Sequence, residues 1–166
     1  AVSLALVARF FYLIIMFKRW QFSLSTIIAL AHDVIIVLGV FSLLKGVMPF
    51  NMEIDQAFIA AILTVIGYSM HDSIIILDRI RENLTVEKKH NLYDIINIST
   101  SETLSRTINT SLSTFLIVLI IFAFGGESIK GFMFAKLIGI VIGTFSSIFV
   151  ASPLLYDFTR KGQMNK

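Results

Sequence analysis

The sequence predicts an all-α fold, a polytopic membrane bundle of five transmembrane helices. Three observations carry that prediction. The 166 residues are 56% hydrophobic with a mean hydropathy of +0.84, above the roughly 45–50% apolar content of soluble domains. Five stretches are long and apolar enough to span a ~30 Å hydrocarbon core, which takes about 20 helical residues. The cationic residues gather in alternate connections, as they do in membrane proteins.

The first span covers about 1–17 and is apolar except for Ser3 and Arg9, ending at "KRW". The second, about 22–44, is interrupted by His32 and Asp33, and the third, about 56–77, by His71 and Asp72. The region 80–105 is too polar to span. Within it Leu92, Ile95, Ile96 and Ser99 fall at helical spacing, which predicts a cytoplasmic amphipathic helix over about 91–104, lying at the interface. The fourth span runs from about 107 to 124 and the fifth from about 131 to 155, leaving 159–166 as a cytoplasmic tail. Pro153 sits at the end of the last span, where a helix tolerates it.

Charge sets the orientation. Lys18 and Arg19, the stretch with Arg79, Arg81, Lys88, Lys89 and Arg106, and the end with Arg160, Lys161 and Lys166 fall on one side. The other side has Lys45, Glu53 and Asp55 in one loop and Glu127 and Lys130 in a turn. The first set is expected to be cytoplasmic, with the C-terminus. The chain opens on Ala1 in an apolar run without an initiator Met, and so reads as a piece of a longer protein.

Asp72 is the most informative residue. An aspartate at the centre of a membrane helix costs roughly 2.5–3.5 kcal/mol on insertion scales. It must face the bundle interior, find a cation or carry a proton, so a functional role outweighs a structural one. Gly67, Ser69 and Ser73 nearby are small and allow close helix approach. The fourth span opens with "TLSRTINTSLST". There Thr103, Arg106 or Thr107, Thr110, and Ser113 or Thr114 recur at three-to-four spacing, a polar stripe on one face. Arg106 is either a partner for a carboxylate on a facing helix or an ordinary snorkelling arginine. His32 is a proton relay or, more simply, a packing histidine, and Asp33 is a second, weaker carboxylate candidate. Arg9 and Lys136 are expected to snorkel. Gly139 and Gly143 form a GxxxG pair continued by Ser146, Ser147 and Ala151, a helix-packing face.

Other chemistries find no support. The chain has no cysteine, so thiolate metal sites and disulfides are excluded. No HExxH or GxSxG pattern points to an enzyme. Adjacent His and Asp on a helix point about 100° apart, which makes a metal site from either His-Asp pair unattractive. The net charge of +3 is spread over loops and offers no basic stripe for nucleic acid.

Taken together, "ALAHDVIIVLGV" (29–40), "AILTVIGYSMHDSIIILDRIREN" (61–83), "TLSRTINTSLST" (103–114) and "FGGESIKGF…LIGIVIGTFSSIFVASPLL" (124–155) resemble the SecF family of the bacterial Sec protein-export machinery. The resemblance covers nearly the whole chain. It implies five helices of a six-helix repeat of the resistance–nodulation–division superfamily, paired with SecD about a pseudo-two-fold axis, or the end of a fused SecDF. It further implies a multi-pass protein of the bacterial inner membrane that works with SecD, SecYEG, SecA, YajC and the exporting preprotein. The implied mechanism draws on the proton-motive force, with protons or sodium as the coupling ion and no other cofactor. The family's essential carboxylate matches Asp72, its essential arginine matches Arg106 and a supporting threonine matches Thr110. Where the family usually reads Asn-Asp, this chain reads His71-Asp72, and a histidine can be protonated or relay a proton where an asparagine only hydrogen-bonds. Two rival readings are a proton-coupled exporter of lipid or small molecules from the same superfamily and a non-conducting scaffold of the translocon.

Overall fold

The computed structural model describes residues 2–50, 52–86 and 91–164. Lys88, Lys89 and the last two residues of the expected tail lie outside the described residues. The helices are α1 (Val2–Phe17), α2 (Trp20–Leu44), α3 (Gln56–Val86), α4 (Leu92–Phe124), α5 (Glu127–Ser146) and α6 (Ser152–Met164), with a π-helical turn, Ser147–Ala151, joining the last two. Four continuous stretches are long and apolar enough to cross a membrane: Trp20–Leu44, Gln56–Val86, Leu92–Phe124 and Glu127–Arg160. The 16 residues of α1 extend only about 24 Å at 1.5 Å per residue, short of the ~30 Å core.

One expectation about the polar region differs. The segment 91–104 is helical, but it is the first part of the 33-residue α4, not a separate helix lying at the interface. No Gly or Pro interrupts Leu92–Phe124, and α3 runs past Leu77 for nine more residues, offering a partner. Ile95, Ile96, Ser99 and Thr103 are buried along α4, and Asn83 Nδ2 donates to Ser99 Oγ (2.9 Å) and Glu102 Oε2 (3.0 Å). Arg79 Nε donates to Glu102 Oε2 at 2.6 Å. That guanidinium, with Asn83, holds the Glu102 carboxyl below the usual carboxylate range.

Pro153 is tolerated as expected, and the helix continues through it to Met164. Proline lacks an N–H, so the carbonyl four residues back loses its partner. The chain answers with the wide turn just before, in which bonds reach one residue further, and Ser152 Oγ donates to Ser147 O (3.3 Å).

The interior is layered. One apolar cluster joins Leu30, Val34, Val37 and Phe41 of α2 to Phe58, Ile62, Ile66 and Met70 of α3 and Ala135 of α5. A second joins Leu13, Phe17, Phe22, Ile76, Leu77, Ile80, Ile96 and Leu155 toward the other end. Between them on α3 lie Ser69, Asp72 and Ser73, each at most 1% exposed. Helices in lipid associate mainly through close packing, and here α5 lies on α3. A Cβ on Gly139 would sit 2.1 Å from Val65 Cγ2, and one on Gly143 would sit 2.9 Å from Ser69 Cβ. Gly67 makes no such contact: a Cβ there would meet only Arg9 Nη2, at 4.0 Å. Arg9 turns to α3, its Nη1 3.2 Å from Met70 Sδ. Lys136 Nζ lies 5.4 Å from the centre of the Phe132 ring.

Candidate functional site

The polar layer contains two carboxylates with different surroundings. Asp33 on α2 is 1% exposed and well supplied with donors. Ser69 Oγ of α3 reaches its Oδ2 at 2.5 Å and Ser146 Oγ of α5 reaches the same oxygen at 2.8 Å. His32 Nδ1 lies 3.2 Å from Oδ1. Asp33 therefore ties three helices together. Ser73 and Ser147 extend the layer, their hydroxyls 2.9 Å apart, and Ser147 Oγ also donates to Gly143 O (2.8 Å).

Asp72 is equally buried and far less supported. Its Oδ1 has no hydrogen-bond partner. Its Oδ2 meets only Ser111 Oγ of α4, at 3.4 Å. A hydroxyl has one proton to give. Ser111 Oγ is 2.6 Å from Thr144 Oγ1, which itself lies 2.8 Å from Ile140 O. If Thr144 donates to that carbonyl, the Ser111 proton goes to Thr144 and Asp72 receives nothing. If Thr144 instead donates to Ser111, Ser111 serves Asp72. Tyr68 OH donates to Ser111 Oγ (3.0 Å) in either arrangement. The carboxylate thus borders a short hydroxyl chain with two proton orders. Thr107 Oγ1, one turn before Ser111 on α4, is also buried without a partner.

The residues expected to work with Asp72 lie elsewhere. The buried face of α4 runs through Thr103, Thr107 and Ser111. Arg106 and Thr110 are exposed on the adjacent face, about 100° around the helix, and Thr110 Oγ1 donates only to Arg106 O (2.9 Å). No hydrogen bond or ion pair joins Arg106 to Asp72 among the described residues. His71 is exposed beside Asp72, and His32 is half-buried against Asp33. Among the described residues, no group of three or more His, Cys, Asp or Glu is arranged to hold a metal. Ser69, Ser146, Ser111, Thr144 and Tyr68 carry the hydrogen bonding, yet sequence reading treats the first two as packing residues and passes over Ser111, Thr144 and Tyr68. The signal that points to them is the pair of buried carboxylates, since buried charge requires donors.

Comparison with known proteins agrees with this architecture. Residues 1–161 match the profile of the protein export membrane protein SecD/SecF, C-terminal. Among curated relatives, the protein translocase subunit SecF of Rhodothermus marinus is 53% identical over 153 residues, covering 92% of this chain and 49% of that protein. The Haemophilus influenzae subunit of the same name is 51% identical over 139 residues, covering 84% and 41%. The chain thus spans about half the length of the curated relatives it matches, or less. A crystal structure of SecDF in a super-membrane-facing form superposes with a TM-score of 0.83 at 40% identity, over 96% of this chain and 21% of that one. A translocon-associated SecDF from Thermus superposes with a TM-score of 0.78 at 41% identity, over 89% and 20%. With a profile match over nearly its full length and helices in the same arrangement, the chain belongs to the SecD/SecF family of protein export membrane proteins.

Proposed function

We propose that the chain is the C-terminal membrane part of a Sec protein translocase subunit of the bacterial inner membrane. There it conducts protons, and their flow promotes protein export. The partners are a SecD half or subunit, SecYEG, SecA and YajC, and the C-terminus is cytoplasmic. The chain has no enzymatic activity in this reading, and the coupling ion is the proton, with sodium as the alternative. One observation carries the proposal: Asp72 is buried with an unpartnered oxygen, while the equally buried Asp33 has donors from Ser69 and Ser146. A carboxylate without fixed donors gains or loses a proton with little local rearrangement, and one held by two hydroxyls does not.

Arg106 and Thr110 enter from the outer face of α4, the least buried of the four long apolar helices. That open face suits a second membrane half. A SecD half packed there would enclose Arg106, and a shift of α4 would bring the guanidinium to Asp72 or withdraw it. Each charge crossing the membrane yields about 2.3 kcal/mol per 100 mV, so a few protons suffice for one domain movement. The test is Asp72→Asn in the full-length protein, with proton conductance and protein export both measured. Loss of both is expected. Wild-type levels of both would refute the relay, and intact export without conductance would favour a scaffold.

A further inference from the structure

We propose that the cavity between the α1–α2 elbow and the far end of α3 binds the phosphodiester head group of an anionic phospholipid. The cavity has a volume of about 400 Å³ and is lined by Arg19, Arg81, Leu84 and Thr85. Among the described residues, both charged residues that line it are cationic.

The two arginines are placed differently. Arg81 is anchored. Its Nη1 donates to Met16 O at 3.3 Å, at the open C-terminal end of α1, and its guanidinium lies 5.9 Å from the centre of the Phe17 ring. Asp78 is its carboxylate neighbour, at a loose 3.8 Å. These contacts fix the guanidinium without using all five of its N–H donors. Arg19 is the N-cap residue of α2, and its side chain makes no capping bond. It is exposed. Lys18 beside it adopts φ 54°, a left-handed turn that sharpens the elbow. The first N–H groups of α2 open here too and add partial positive charge.

Depth argues for a lipid. Trp20 follows Arg19 directly, is 53% exposed and lies against Phe158, with ring centres 6.2 Å apart. Exposed tryptophans of membrane proteins sit at head-group level. The cavity opens at the basic end of the bundle, where a phosphodiester would meet both guanidiniums while its acyl chains follow the apolar outer faces of the helices. Leu84 fits the glycerol side of such a ligand better than it fits a free hydrated anion.

The test is native mass spectrometry of the full-length protein in detergent, titrated separately with phosphatidylglycerol, phosphatidylcholine and inorganic phosphate. Near the membrane surface each cation contributes about fivefold in affinity for an anionic lipid, so the pair predicts a preference for phosphatidylglycerol of about 25-fold. Arg81→Gln should remove about fivefold of it. Arg19→Gln should do the same, and because that side chain is exposed and makes no hydrogen bond or ion pair among the described residues, its loss is not expected to disturb folding. Arg160→Gln, an exposed cation outside the cavity, should change the preference less than about twofold. Equal binding of the two lipids would overturn the proposal, as would an unchanged preference in Arg19→Gln or an equal loss in Arg160→Gln. Inorganic phosphate binding as tightly as phosphatidylglycerol would overturn the lipid assignment and leave a site for free anions.

Discussion

Replacing Gly139 with alanine tests how closely α5 must lie on α3. The added Cβ would stand 2.1 Å from Val65 Cγ2, 2.6 Å from Cγ1 and 2.9 Å from Cβ. Ordinary contact begins near 3.4 Å, so the helices must separate by about 1.3 Å (3.4 − 2.1). Rotation of Val65 does not solve this, because its own Cβ is among the clashing atoms and a β-branched side chain in a helix is held to one rotamer. Overpacking typically costs about 1–3 kcal/mol, and this site lies at the top of that range. Alanine recovers about 1 kcal/mol of helix propensity, leaving a net loss of about 2 kcal/mol. Gly143→Ala needs only about 0.5 Å (3.4 − 2.9) against Ser69 Cβ, but neither that Cβ nor the Ser69 Cα at 3.4 Å can swing aside, so it should lose about 1 kcal/mol, less than Gly139→Ala. Gly67→Ala meets nothing closer than 4.0 Å and Gly39→Ala meets nothing within 4 Å, so both should gain about 0.5–1 kcal/mol. Unfolding by sodium dodecyl sulfate from mild detergent micelles, followed by circular dichroism, reads all four. Val65→Ala removes both Cγ atoms and leaves Cβ at 2.9 Å, so it should restore Gly139→Ala to about the level of Gly143→Ala. A Gly139→Ala protein as stable as wild type, or less harmed than Gly67→Ala, would refute the close-packing argument.

The two carboxylates should separate in the same assay. Asp33→Ala strands the Ser69 hydroxyl and leaves Ser146 Oγ only the Gly143 carbonyl at 3.3 Å, at about 1–3 kcal/mol for an unsatisfied buried group, whereas Asp72→Ala removes one long contact at 3.4 Å; Asp33→Ala should be the less stable by about 2 kcal/mol, and equal losses would contradict the difference in support. Acid should loosen the start of α4. The Glu102 carboxyl is held low in the folded protein, so its contribution is fully present above its unfolded value near ~4.3 and disappears as pH falls through the lower folded value. Hydrogen-exchange protection over residues 92–104, corrected for the pH dependence of intrinsic exchange, should fall in that window in wild type, and the extra loss of protection should be absent in Arg79→Gln.

How much was legible in the sequence varies with the physics involved. The spans were legible because twenty-odd apolar residues leave few alternatives in water. Asp72 and Asp33 stood out because charge is costly inside a membrane, and the structure places both in the polar layer. The working face of α4 was not legible. Arg106–Thr110 and Thr107–Ser111 are polar pairs one residue apart, about 100° around the helix, and only the position of α3 selects which turns inward. The same limit applied to 91–104. An amphipathic segment that lies on a membrane and one that pairs with a neighbouring helix have the same periodicity, and the partner, the extension of α3 through Asn83, is visible only in the fold. Ser69 and Ser146 were legible as small residues but not as donors, because hydrogen bonding depends on which side chain faces them. Pro153 was placed correctly as tolerated, though the wide turn that accommodates it was not foreseen.

That turn has a consequence for phase. Gly139, Gly143, Ser147, Ala151 and Leu155 are all buried and recur every fourth residue. A straight α-helix advances 3.6 residues per turn, so a stripe repeating every four would wander by roughly 160° over these sixteen residues. The π-helical segment is wider and takes up part of the surplus. It works as a spacer in the helical thread, so that the half of the helix clasping α3 and the half clasping the basic end of the bundle are indexed separately.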